Sequence, residues 1–453
     1  MKKLFAKIRS FFCKVWKIIT GWSRKGKEDS EWKDDTDNAP ADPDNIKQGE
    51  IGAYVMYDKT KATIDKNFVY NLKELGIDII YLNTNRKGAP LSYDEWHGIF
   101  ELFSESGIKL MLYIYEAVSL KPRWTIAQIK SISEHPAFYG WIAEDEVTMA
   151  SYSTTNKWIK DLHNQFLADG ERKYPNMSIT YLPKLKELSV DAIGEKYSEY
   201  LEKWSDAADV VFADQYPFVA DKTNGAQYDI ESDGTPIHSK SAGCERWYDY
   251  LLEHLAFTQR HPELTHRLYI QTCKHIATDN NKKLYISHPK PTKETLEIQA
   301  YASLMAGSNG LMLFLLNDIH NANGTGFMES AFAEDMSIND DTYYNLKALL
   351  TSSKFLKFKK LITNLTIERL FVSNFQELIG CIASNEKYKY SFFLNTSPTL
   401  EAGIDLAPGD KVMNIELDIF REMYKYELYI LESGEILVIK RNSDYDLPKE
   451  TIE

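Results

Sequence analysis

The chain has 453 residues, 43% of them apolar and 13% aromatic, enough to build a large core and too hydrophobic for a disordered polymer. Its net charge is −13, although residues 1–27 carry nine Lys/Arg and no acid, so the remainder is more acidic still. Such a body repels phosphate backbones and argues against nucleic acid as the partner. The cysteines Cys13, Cys244, Cys273 and Cys381 lie far apart with no CxxC spacing, which implies neither a disulfide framework nor a zinc site.

Residues 1–27 open as MKKLFAKIRSFFCKVWKIITGW, with bulky apolar residues interleaved with lysines. A secretory core would be an unbroken apolar run ending at small residues, and neither feature is present. The spacing fits a basic amphipathic helix lying on an anionic membrane surface, and atypical export is the alternative. An extracytoplasmic or membrane-associated location is therefore expected, with the cytoplasm as the alternative. Residues 28–49 are acidic, contain Pro40 and Pro43 and lack periodicity, which reads as a flexible tether.

From residue 50 to about 361, short β-rich runs alternate with segments of helical period. The strands are expected at 50–58, 77–85, 108–116, 138–147, 177–184, 208–218, 267–275 and 309–318. Helices follow each of them, the first opening at Thr63 and the last spanning 341–358. Eight such units close a (β/α)8 barrel. Joins from helix to strand are tight, as at Gly76-Ile77 and Gly107-Ile108, whereas joins from strand to helix are long after strands six, seven and eight. That asymmetry puts the elaborated face, and the site, at the C-terminal ends of the strands. Residues 362–453 change to alternating patterns of about six strands, an accessory β-sandwich.

Barrel chemistry that breaks a glycosidic bond needs two carboxyl groups at those strand ends. The fourth end is the densest, with Glu144, Asp145 and Glu146 in succession. Strict period two would send Trp141, Ala143 and Asp145 to one face and Glu144 and Glu146 to the other. Acids just before a helix also cap its first turn, so some of this cluster can be structural. The sixth end carries Asp214 and Tyr216. Tyr57, Tyr115, Trp141 and Tyr216 are candidates to wall a sugar subsite. Asn83, Gln271, Asn317 and Glu116 are candidates to hydrogen-bond sugar hydroxyls, and Glu116 or Asp318 could supply a further carboxyl. The run 321–326 lacks the carboxylate spacing of a calcium loop, so neither metal nor cofactor is assigned.

The stretch HPAFYGWIAEDEV (135–147) resembles the His-Pro-Ala…Gly-Trp…Asp-Glu-Pro stretch of barrel glycoside hydrolases. VVFADQYPF (210–218) is similar to the Asp-x-Tyr-Pro ending of strand six in the same superfamily, and GSNGLMLFLLN to its Gly-rich entry to strand eight. The resemblance covers roughly residues 50–360. It implies a carbohydrate substrate, Glu146 or Asp145 as acid/base, and Asp214 as a second carboxyl. Two departures stand out: Val147 replaces the usual Pro, and the seventh strand end (Gln271, Cys273, Lys274) holds no carboxylate. Either Asp145 and Asp214 pair as nucleophile and acid/base, or the barrel binds glycans in the cell envelope without cleaving them.

Overall fold

The computed structural model describes residues 33–34, 49–84, 91–113, 125–157, 177–181, 196–205, 208–214, 216–217, 247–278, 284–320, 327–339, 341–372, 378–396, 401–417, 419–423 and 426–442. Eight parallel strands form a closed barrel. They are β1 (Glu50–Met56), β2 (Ile79–Asn83), β3 (Lys109–Tyr113), β4 (Phe138–Val147), β5 (Met177–Tyr181), β6 (Val210–Ala213), β7 (Thr265–Gln271) and β8 (Gly310–Phe314). β8 closes the ring by pairing with both β7 and β1.

Each strand is buried on both sides, and its alternation sorts two cores. Ile51, Ala53 and Val55 of β1 face the surrounding helices, whereas Tyr54 turns into the barrel. The barrel interior is unusually rich in tyrosine: Tyr54, Tyr81, Tyr113, Tyr139 and Tyr269 fill it, with Phe212 and Met312. Their rings meet edge-on or tilted, as Tyr54 does with Tyr81 at 4.3 Å and with Phe314 at 5.2 Å between centroids.

The helices begin where side chains satisfy their free N–H groups. Ser92 and Glu95 form a reciprocal capping box, as do Thr125 and Gln128. The first helix starts at Lys66 with Asp65 as its cap, three residues later than Thr63, because the Asp65 carboxylate accepts from the Phe68 amide. Gly76 and Gly107, at φ 75° and 80°, turn the chain from a helix end into the next strand, a conformation that costs other residues a steric clash. The expected helix 341–358 is two, Asp341–Leu350 and Ser353–Thr363, broken where Ser352 caps the second.

The C-terminal region is an antiparallel sheet packed on a smaller layer. Seven strands run in the order 33–34, 419–422, 411–414, 436–442, 388–395, 378–384 and 366–372, and a two-stranded sheet pairs 402–406 with 427–431. Ile404, Leu406 and Leu431 of the small layer pack on Val412, Leu437 and Ile439. The other face of the large sheet lies on the barrel helices, with Phe392 against Phe358 at 5.7 Å. Lys33 and Asp34, within the segment expected to be a tether, pair with Phe420 and Ile419 at the sheet edge. Among the described residues eight strands follow residue 362 rather than six; the short runs 402–406 and 419–422 carry too few apolar residues to show alternation.

The long connections after β7 and β8 are themselves structured. Lys274–Thr278, Leu284–His288, Phe327–Glu329 and Ile319–His320 make a four-stranded antiparallel sheet beside the barrel mouth.

Candidate functional site

β4 determines what the mouth presents. Its pairing with β5 slips twice, between Ile142 and Glu144 and again between Glu144 and Val147. The slips overturn the strict two-residue alternation. Trp141, Ala143 and Val147 enter the outer core beneath the helices, whereas Ile142 and Asp145 turn inward. Glu146 sits between the two faces at φ 52°, a left-handed conformation rare outside glycine. Glu144 leaves the site altogether and accepts from the Thr155 hydroxyl in the helical turn 152–157, so the structural role of the acidic run falls to this residue.

Asp145 is half-buried over the tyrosine core. The hydroxyls of Tyr54 from β1 and Tyr113 from β3 both donate to its Oδ2, each at 3.2 Å. Burial raises its pKa above the usual carboxylate value, while the hydroxyls of Thr180, Tyr54 and Tyr113 pull it back. Glu146 is solvent-accessible, and its pKa is raised first by the surrounding protein and then by the charge of Asp145.

Asp214 continues the inward series of Val210 and Phe212 on β6. Its Oδ1 is fully covered and accepts no hydrogen bond. Burial pushes its carboxyl up to about 8, the Tyr216 hydroxyl acts the other way, and the charges of Glu146 and Asp145 add to the rise. Strands four and six therefore bring together three carboxyl groups, with the charge of Asp145 raising Glu146 and both of these raising Asp214. Tyr216 stacks on Phe314 at 5.7 Å and meets the edge of His288 from the adjoining hairpin.

The remaining candidates divide. Asn83 turns inward, and its Nδ2 donates to the Tyr54 hydroxyl at 2.5 Å. Trp141 is fully buried against Phe138 in the outer core and cannot wall a subsite. Tyr57 is likewise in the outer core, its hydroxyl donating to the Ala62 carbonyl. Asn317 ties β8 to β1: its Oδ1 accepts from the Met56 amide and its Nδ2 donates to the Met56 carbonyl. Gln271 donates to the carbonyls of Cys273 and Pro289, so the seventh strand end anchors the hairpin. Asp318 accepts from the Ser330 amide and Asn339 and organises the loop after β8. Tyr115, Glu116 and the run 321–326 lie outside the described residues.

Sequence reasoning missed the role of Tyr54. A tyrosine two residues from the end of an apolar strand looks like core, and only closure of the barrel brings it to Asp145. Among the described residues one trio has metal-ligand chemistry, His97, Glu101 and His135, on the outer helical face. There His135 Nδ1 accepts from the Ala137 amide, which places the ring proton on Nε2, 3.4 Å from Glu101. His97 Nε2 lies 3.9 Å from the same Glu101 carboxylate.

No protein-family profile and no curated protein matches the chain. Solved structures similar to it include a GH27 β-L-arabinopyranosidase from Geobacillus stearothermophilus, with 10% identity, 89% of this chain and 98% of that one covered, and a TM-score of 0.47. A noncanonic maltogenic α-amylase from Thermotoga neapolitana shows 10% identity, 88% and 99% coverage and a TM-score of 0.45. A GH30 endoxylanase from Clostridium papyrosolvens shows 10% identity, 87% and 97% coverage and a TM-score of 0.38. Likenesses this distant define neither a family nor a reaction. The (β/α)8 barrel with its C-terminal β domain is established by its own closed strand order.

Proposed function

We propose that the chain is a glycoside hydrolase that cleaves an oligo- or polysaccharide with Asp145 and Asp214. The observation that carries this reading is the unequal environment of two carboxyls at one barrel mouth. Asp214, raised to about 8, holds its proton at neutral pH, whereas Asp145 is supplied with hydroxyl donors that favour the carboxylate. Burial raises both carboxyls while hydroxyl donors oppose the rise at Asp145, and two carboxyls in such unequal surroundings can divide into an acid and its negatively charged counterpart.

In the reaction, the Asp214 proton passes to the glycosidic oxygen as its bond to the anomeric carbon breaks. Asp145 meets the positive charge developing at that carbon, by direct attack or through a water whose proton it takes, and product stereochemistry reports which. Glu146, accessible and beside both, is the third group available to substrate. Tyr216 and Phe314 offer an aromatic wall. Association with an anionic membrane surface through residues 1–27 is part of the same proposal, supported by their nine cationic side chains.

The test is sugar release from a broad glycan panel by the full chain, run beside Asp145→Asn and Asp214→Asn. Release abolished in both variants is the expected result, and release unaffected in both would remove the assignment. A second reading, glycan binding without cleavage, is favoured by one observation, the use of Gln271 as an anchor where a catalytic carboxyl could stand. It predicts glycan retention with no release at all.

A further inference from the structure

We propose that Asn83 and Tyr54, joined by Tyr113, are positioning residues that hold Asp145, rather than Glu146, as the ionised carboxylate of the site. This rests on the glycosidase reading for its catalytic meaning but not for its physical content. The argument starts from donor counting. A tyrosine hydroxyl has one proton to give, and Asn83 Nδ2 donates to the Tyr54 oxygen, so the Tyr54 proton is directed away from Asn83. Asp145 Oδ2 lies 3.2 Å from that hydroxyl and 3.2 Å from the hydroxyl of Tyr113, which also bonds Tyr54, so the two tyrosines form one donor network on the carboxyl.

A carboxylate oxygen accepts such hydroxyl donation more strongly than the oxygen of the neutral acid, so these bonds favour the ionised form of Asp145. The chain runs Asn83, Tyr54, Asp145 across β2, β1 and β4, all closed-barrel strands, so it is set by backbone pairing rather than by a loop. Tyr54 is 1% exposed and Asn83 9%, which shields these bonds from water.

The other titratable groups facing Asp145 are Tyr81 from β2, Tyr269 from β7, Asp214 from β6 and its neighbour Glu146. None of them is a cation, so among the described residues hydroxyl donation is what favours the charged form of Asp145. Glu146 has no such support: among the described residues no group donates to it, and its strained backbone turns it to solvent.

The experiment is a carboxyl-carbon NMR titration of the full chain labelled at aspartate, with the Asp145 signal assigned by its disappearance in Asp145→Asn. Tyr54→Phe and Asn83→Leu are then titrated in parallel. Each lost donor is expected to raise the Asp145 midpoint by about one pH unit. The acidic limb of the pH–activity profile is expected to move upward with it. An Asp145 midpoint unmoved in Tyr54→Phe would overturn the proposal, and this variant keeps the ring that fills the core. Because the titration needs no substrate, a chain that hydrolyses nothing would defeat the glycosidase reading while the Asp145 midpoint still decides the role of the chain. Restoration of the parent midpoint by Asn83→Gln, and not by Asn83→Leu, would separate a donor from a filler of space.

Discussion

The Tyr54 hydroxyl on strand one donates to Asp145 Oδ2 on strand four at 3.2 Å, a bond between residues 91 apart in the chain. It exists because β4 slips out of register with β5 just before Asp145 and so carries that residue inward while Trp141 and Ala143 stay outward. A local defect in one strand is thus what converts an acidic run into a carboxylate above a tyrosine core.

Asp214 sets the alkaline side of the pH dependence. Activity should fall as pH rises through about 8, where the buried carboxyl loses its proton. Stability has the same sign. The folded state keeps a proton that the unfolded chain, with its ordinary value of 3.8, has already lost, so this group's contribution declines between about 4 and 8. Asp214→Asn should therefore melt higher than the parent at pH 8, by on the order of 1–3 kcal/mol in stability, with the difference vanishing toward pH 4. Thermal melts across that range check it, and an equal or lower melting point at pH 8 would count against the buried-acid description.

Glu146 tests whether strain is stored for function. At φ 52° a glycine is unstrained, so Glu146→Gly should be about 1 kcal/mol more stable than Glu146→Ala. Chemical denaturation of the two variants measures this directly. Equal stabilities would mean that the left-handed conformation relaxes once the carboxylate is gone.

Barrel closure depends on Gly310. A Cβ there would run into the Glu50 carbonyl oxygen, the point where β8 joins β1. Gly310→Ala should cost about 1–3 kcal/mol, whereas Gly98→Ala, on an open helix face, should not destabilise. The comparison of melting points separates a closure effect from a general one.

The fold was legible because its signals are periodic. Eight apolar runs, helical segments between them and Gly76 and Gly107 at the tight joins repeat often enough to outweigh local ambiguity. Asp214 was singled out as the acid at the end of the apolar run VVFADQYPF, and in the fold it continues the inward series of Val210 and Phe212. What the sequence concealed was aperiodic. The slips in β4 leave no compositional mark, so Trp141 read as a wall residue and lies in the outer core. Asn317, Gln271 and Tyr57 have the chemistry of sugar contacts, yet backbone groups claim both polar atoms of Asn317, the Nε2 of Gln271 and the hydroxyl of Tyr57, which only the assembled loops reveal. The four-stranded sheet was hidden because the strand 274–278 pairs on one side with 284–288 and on the other with 327–329, about fifty residues onward.

Residues 1–27 give a prediction independent of the barrel. Their removal should abolish partitioning onto vesicles containing anionic lipid, and binding of the full chain should weaken as salt is raised. Sedimentation with vesicles reads both, and unchanged partitioning after truncation would exclude a membrane-seeking segment. Among the described residues no helix is long and apolar enough to cross a membrane.

The division of labour between Asp214 and Asp145 is tested most directly by comparing two leaving groups on the same sugar. A dinitrophenyl glycoside departs without protonation, whereas an alkyl glycoside or a natural linkage requires the acid. Once the glycan panel has identified the sugar, Asp214→Asn should retain most of its turnover on the dinitrophenyl glycoside and lose about a hundredfold or more on the natural linkage. Asp145→Asn should lose both. Equal losses on the two substrates in Asp214→Asn, or full activity in Asp145→Asn, would contradict the assignment of acid and carboxylate.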